Sequence, residues 1–190
     1  MASEERLLSA AKEIFSKLGF HAATTRAIAQ KAKVNEALIA RYFDGKFGLL
    51  LALLQQEAKQ GHQEPPSYPP QDSVEKELTE YAFFHFHKIV RESDLFKIIL
   101  SQFLTDPKFL KRFRESIPLV TQDVFLRDRL RFLQEKGKIN ANASLEDIIA
   151  DVKIINIGHL LFTHLIKGDS EEETLKQLQR LIRVYAGNLG

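Results

Sequence analysis

The side chains able to hold a metal or move a proton are few: the chain has six histidines and no cysteine. Thiolate metal sites, disulfides and cysteine nucleophiles are therefore excluded. His85 and His87 stand two apart and His159 and His164 five apart, whereas zinc-binding histidines on a helix project together when they are four apart. No GxSxG elbow, Walker loop or dinucleotide loop occurs either. The chain is expected to be no enzyme and to need no metal and no cofactor. The remaining chemistry is that of cations and hydroxyls. Residues 1–60 hold nine Lys and Arg against six Asp and Glu, a net +3, while the remainder holds 18 against 19, a net −1. A basic excess gathered in one third of a chain suits a polyanionic partner.

These cations ride on short helical patterns. Apolar spacing of three and four runs nearly throughout and no hairpin signal interrupts it, which predicts an all-α chain. Leu7, Ala11, Ile14, Phe15 and Leu18 make one stripe on a helix over about 4–18, with Ser3 to cap it and Gly19 to stop it. Thr24 or Thr25 opens a short helix to about Ala32, Asn35 a second to about Phe43, and Asp44 precedes a fourth helix to about Lys59. Helices under about 12 residues are marginal alone in water, so residues 24–43 need the first stripe to hold them. Two short helices joined by a tight turn and braced by a third have helix-turn-helix geometry, in which the second helix enters the DNA major groove.

The segment GHQEPPSYPPQDS, 61–73, carries four of the six prolines and reads as a linker. Longer helices are expected at about 74–91, 94–105, 107–115, 117–136, 145–167 and 171–188, forming a bundle. Asp94, Asp106, Ser116, Ser144 and Ser170 are their candidate N-caps, Pro107 and Pro118 sit in first turns, and Gly137 and Gly168 follow helix ends. The expected architecture is an N-terminal three-helix helix-turn-helix domain over 1–46 and a C-terminal helical bundle over 47–190, about nine helices in all.

From Leu7 to Leu53 the order of motifs is long helix, Gly-Phe, Thr-Thr, IAxxAxV, a short helix ending in Tyr-Phe, and Lys46 opening the next helix. This resembles the DNA-binding domain of TetR-family transcriptional regulators; beyond residue 74 only helix number and order resemble the family. The resemblance implies a homodimer on palindromic double-stranded operator DNA, released when a small molecule occupies the C-terminal bundle. It implies phosphate contacts for Thr25 at a helix N-terminus, for the Tyr42 phenol and for the Lys46 ammonium, with Arg26, Lys33 and Arg41 as further cations near the backbone. The recognition helix departs from the family's common Ser-Lys-Gly-Thr-Leu-Tyr: here stand Asn35, Glu36, Ala37, Leu38, Ile39 and Ala40, and Lys33 replaces the usual turn glycine. Asn35 can pair with adenine, Glu36 can accept from cytosine, Leu38 or Ala40 can touch a thymine methyl, and Arg41 can read guanine or hold a phosphate. As local chemistry, Asn35 is equally a cap and Glu36 a charge favoured at a helix start.

In the C-terminal region, LEDIIADVKIINIGHLLFTHLI, 145–166, is apolar on more than one face and must be covered on two sides. Val152, Ile155, Gly158 and Phe162, with Leu178, Ile182 and Tyr185 of the last helix, are the expected dimer interface; a buried central helix of a monomer is the other reading. His85, Asn156 and His159 interrupt apolar stripes and can orient a small apolar or aromatic effector, with Phe86, Phe103 and Phe125 as pocket walls. No run of about 18 apolar residues exists, and the N-terminus MASEERLLSAAK is acidic where a leader would be basic, so no membrane association and a cytoplasmic location are expected. A helical module that docks a protein partner through its helix-turn-helix is the alternative function.

Overall fold

The structure, a computed structural model, describes residues 2–63, 65–116 and 123–190. Among the described residues it is helical without strands: α1 (Ser3–Ala22), α2 (Thr25–Ala32), α3 (Ala37–Phe43), α4 (Gly45–Gln63), α5 (Val74–Arg91), α6 (Ser93–Thr105), α7 (Pro107–Ser116), α8 (Val124–Glu135), α9 (Leu145–His159) and α10 (Glu171–Ala186). An eight-residue π-helical segment, Leu160–Lys167, follows α9 directly. Ten α-helices thus stand where about nine were expected, and the single helix expected over 145–167 changes its winding at His159.

The caps explain most boundaries. The Thr24 hydroxyl accepts from the Ala27 N–H at 3.1 Å, Ser144 caps α9, and Ser170 forms a reciprocal box with Glu173 at the start of α10. The Asp106 carboxylate accepts from the Lys108 and Phe109 N–H groups at 2.9 and 3.1 Å. Three expected caps differ: Ser116 is the last residue of α7, and α8, expected from 117, starts at Val124 under Asp123, whose carboxylate accepts from the Leu126 N–H at 3.0 Å. Ser3 is the first helical residue of α1 because the Glu5 carboxylate takes the Ala2 N–H instead, and Asp94 lies in the first turn of α6, after Glu92. Pro118 lies outside the described residues.

The contacts gather into two compact units, one made of Met1–Gln63 and Glu92–Leu119, the other of Glu64–Arg91 and Val120–Gly190. The boundary expected after residue 46 falls inside the first unit, which also takes in α6 and α7. Its core joins Leu7, Ala11 and Phe15 of α1, Ile28 of α2, Ile39 and Phe43 of α3, Leu49, Leu50 and Leu53 of α4, and Leu95, Ile98 and Phe109. Leu18, expected at the end of the α1 stripe, is exposed. The helix is broken at Gly19 (φ 75°, ψ 167°), and the turn carries Phe20 onto Phe15, their ring centres 5.5 Å apart.

The second unit packs α5, α8, α9 and α10 around Leu78, Leu126, Leu130, Ile148, Val152, Leu178 and Ile182. The proline-rich stretch is non-helical over 65–73, whereas its start at 61–63, expected outside any helix, continues α4 to Gln63; the non-helical part is tied down. Fully buried Glu77 accepts from the Gln71 N–H at 2.7 Å and from Arg129 at 3.0 Å, and Arg129 also donates to the Tyr68 carbonyl at 3.0 Å with its guanidinium 4.5 Å from the Tyr68 ring centre.

Candidate nucleic-acid interface

Within the first unit α2 and α3 stand on α1 and α4 through Ile28, Ala29, Ile39 and Phe43. The turn between them passes through Lys33 in the left-handed region (φ 55°, ψ 47°), with its N–H on the Ala29 and Gln30 carbonyls. A side chain in that conformation costs about 1–2 kcal/mol, which is the physical reason a glycine is common at such a turn. A second left-handed residue, Asp44 (φ 59°), ends α3 and lets α4 start at once.

This frame leaves Arg26, Asn35, Glu36, Ala37, Ala40, Arg41 and Tyr42 exposed and Thr25 half-buried. Thr25, Asn35, Glu36, Ala37 and Ala40 line one shallow depression. The Asn35 side-chain oxygen accepts from the Ala37 N–H at 2.9 Å, the bond expected of a cap at this position, although Glu36 is the residue that directly precedes α3. The Thr25 hydroxyl donates to the Glu36 carboxylate at 2.6 Å; a phosphate at Thr25 must displace or outcompete that carboxylate. Leu38 is half-buried against the core, which leaves Ala37 and Ala40 as the open apolar positions. Tyr42 stands edge-on to Phe43, with the Arg41 guanidinium 5.9 Å from its ring centre.

Lys46 is placed differently from an exposed phosphate ligand. Its ammonium donates to the carbonyls of Phe20 at 2.7 Å, Ala23 at 2.8 Å and His21 at 3.3 Å, and lies 4.6 Å from the Phe20 ring centre. All three donors of a lysine are thereby used, on the carbonyl end of α1 where a cation is favoured. Burial lowers its pKa from the ordinary lysine value. Lys46→Met is expected to cost about 2 kcal/mol of stability, since three carbonyls lose a charged donor. Thermal melting checks this, and an unchanged melting temperature would return Lys46 to a pure phosphate role.

The other candidate residues are divided. His85, Phe86, Phe125, Asn156 and His159 belong to the second unit, whereas Phe103 belongs to the first, packed at 4.7 Å on Phe113 and 5.7 Å on Phe109. Phe103 packs there against the first unit's core. The His85 ring lies 4.3 Å from that of Tyr81, whose hydroxyl donates to Asp123 at 2.9 Å. Phe86 is fully buried beside His164. The His159 Nε2 meets the Thr174 carbonyl at 3.0 Å. Asn156 is buried on α9 and donates its amide to the Ala82 carbonyl at 2.9 Å, while its own oxygen has no partner.

Of the residues expected at a dimer interface, Val152, Leu178 and Ile182 are fully buried in the second unit's own core. They point inward because that stripe of α9 and α10 meets α5 and α8. Gly158 and Phe162 are exposed and Ile155 and Tyr185 half-buried. Sequence reasoning missed the rest of the outward face: Ile154, Ile157, Ile166, Leu181 and Val184 are all exposed, Ile154 at 69% and Val184 at 70%. Both faces of α9 are apolar, so periodicity alone did not tell them apart. Ile154, Gly158, Leu181, Val184 and Tyr185 line one groove between α9 and α10.

Comparison with known proteins bears on the first unit most directly. The family model described as "Bacterial regulatory proteins, tetR family" matches residues 7–53. A Bacillus subtilis HTH-type transcriptional regulator of uncharacterised role, YvkB, is 46% identical over 56 residues, 30% of this chain and 30% of that one. The match therefore spans under a third of that relative. The Escherichia coli HTH-type transcriptional regulator UidR is 26% identical over 144 residues, 71% of this chain and 68% of that one. A crystal structure of a Rhodococcus protein described as a TetR-family transcriptional regulator superposes with a TM-score of 0.74 at 19% identity, covering 96% of this chain and 98% of that one.

Proposed function

Because the chain belongs to the TetR family of bacterial transcriptional regulators, a family of DNA-binding proteins and not of enzymes, we propose that it acts in the cytoplasm as a ligand-responsive repressor. Two copies bind a palindromic operator, and they leave it when a small apolar or aromatic molecule enters the C-terminal bundle. The observation that carries the DNA reading is the exposure of Asn35, Ala37, Ala40, Arg41 and Tyr42 on α3 and the turn before it, while Ile39 and Phe43 sink the same helix into the core. Arg26, Arg41 and Tyr42, with Thr25 once Glu36 yields it, hold phosphates. Asn35 and Ala40 are the base-edge candidates. The roles divide by unit: the first unit meets DNA and the second carries effector binding and dimerisation.

The effector reading is supported by Asn156, whose buried unpartnered oxygen can take a donor from a ligand. Dimerisation is supported by the outward apolar face of α9, the π-helical segment and α10. A monomer leaves that face in water, and a second copy covers it with a like surface. Ligand-induced release is then a shift between two dimer geometries that place the recognition helices at, or away from, the spacing of one helical turn, about 34 Å.

Analytical ultracentrifugation with a footprint on DNA recovered by the chain from a randomised duplex pool tests this. A dimer protecting two symmetric half-sites is expected. The double variant Phe162→Glu/Val184→Glu is expected to sediment as a folded monomer and to lose on the order of 100-fold in affinity, the avidity of the second half-site. A parent that sediments as a monomer and protects one half-site overturns the dimer.

A further inference from the structure

We infer that α7 is a second contact for the DNA backbone, reaching phosphates that flank the half-site entered by α3; the inference rests on the operator-binding reading above. Helix α7 has the sequence PKFLKRFRES, with four cations and one acid. Its inward face is fixed by fully buried Phe109, whose ring centre is 5.0 Å from that of Phe47 on α4, and by Phe113 against Phe103. That packing turns Lys108 and Lys111 into solvent.

Arg112 marks where this cationic flank begins. Its guanidinium lies 3.6 Å from the carboxylate of Asp44 and 5.1 Å from the Phe47 ring centre. Asp44 is the residue that ends α3, two positions after Tyr42. Lys108 precedes Arg112 by one helical turn on the same flank, and Lys111 adjoins both. Among the described residues Lys111 is paired with Glu115 alone, at 4.0 Å, so the flank keeps a net positive charge beside the end of the recognition helix. The Arg112–Asp44 pair joins this flank to the end of the helix that carries Arg41 and Tyr42, all within the first unit. A duplex lying on α3 extends past its half-site with a phosphate charge every few ångströms, which is the chemistry Lys108 and Lys111 complement. Arg114, three residues after Lys111, is its neighbour on the solvent side of α7 and extends the same cationic face.

The test uses the full chain and the duplex it recovers from a randomised pool, in two lengths: trimmed to the protected palindrome, and extended on each side by about six base pairs, roughly half a helical turn. Affinity is read across a salt series. On the extended duplex Lys108→Gln/Lys111→Gln is expected to flatten the slope of log K against log salt by about 0.9 per phosphate lost, about 3.6 for a dimer losing two per subunit. On the trimmed duplex parent and variant should coincide, and Lys176→Gln, which removes an exposed cation of the second unit instead, should match the parent on both. Equal slopes for parent and double variant on the extended duplex, with preference for the recovered sequence intact, overturn the α7 contact alone. A parent with no preference for the recovered over a scrambled duplex overturns the operator reading as well.

Discussion

Gly48→Ala is expected to displace the recognition helix and to abolish operator binding. Helix α4 starts one residue after α3 ends and folds back so closely that a Cβ at residue 48 would sit 1.5 Å from the Phe43 carbonyl oxygen and 2.7 Å from its carbon. Neither atom belongs to a side chain that can rotate away. They are backbone at the last turn of α3, followed at once by Asp44 and Gly45, both at positive φ. Overpacked core positions cost about 1–3 kcal/mol, and an obstacle made of backbone places this one at or above the upper end. For a chain of this size about 3 kcal/mol lowers the melting temperature by roughly 6–12 °C. The rest of the α3–α4 junction must open to admit the methyl group, so affinity for the recovered duplex should fall much further than stability does. Differential scanning calorimetry and fluorescence anisotropy measure the two effects separately. An alanine variant that melts with the parent and binds as tightly would mean that α4 does not approach α3 in this way.

The second large effect lies in the other unit. Arg129→Met leaves the fully buried Glu77 with the Gln71 N–H and without its cation. Removing one member of a buried pair costs about 3–5 kcal/mol, because the remaining charge is desolvated without compensation. Replacing both members by apolar groups of similar volume is often neutral, so Glu77→Leu/Arg129→Met is expected to regain most of the loss. The two variants together separate the pair from the packing around it. The Tyr68 carbonyl also loses Arg129 in the single variant, which should loosen the proline-rich segment and raise its cleavage by protease. If single and double variants melt alike, Glu77 is not held by Arg129 as described.

Local signals in the sequence were readable because the chemistry that sets them is local. Thr24, Ser144 and Ser170 cap the helices they precede, Pro107 opens α7, and Gly137 and Gly168 take positive φ after helix ends. The helix-turn-helix was legible for the same reason, since two short helices with buried Ile28 and Ile39 have few other ways to hide their apolar side. What depends on the third dimension was not. Lys46 looks like a free cation until the α1 carbonyls that surround it are known. Leu18 fits the α1 stripe, but Gly19 turns the chain and Phe20 takes the place. Phe103 and Phe125 look alike in sequence, yet Phe103 joins an aromatic cluster with Phe109 and Phe113 in the first unit, because α6 and α7 pack together there. On α9 two apolar faces compete, and only the packing of Val152 against α5 and α8 shows which one is left outside.

The central claim is that α3 reads DNA sequence, and the most direct measurement is the affinity of the full chain for the recovered duplex against a scrambled duplex of equal length and composition, by anisotropy across a salt series. The account predicts binding at least about 1,000-fold tighter to the recovered duplex at physiological salt, with both affinities falling steeply as salt rises. Equal affinity for the two duplexes, or binding that salt leaves untouched, would contradict it and would favour a helical module whose helix-turn-helix docks a protein partner.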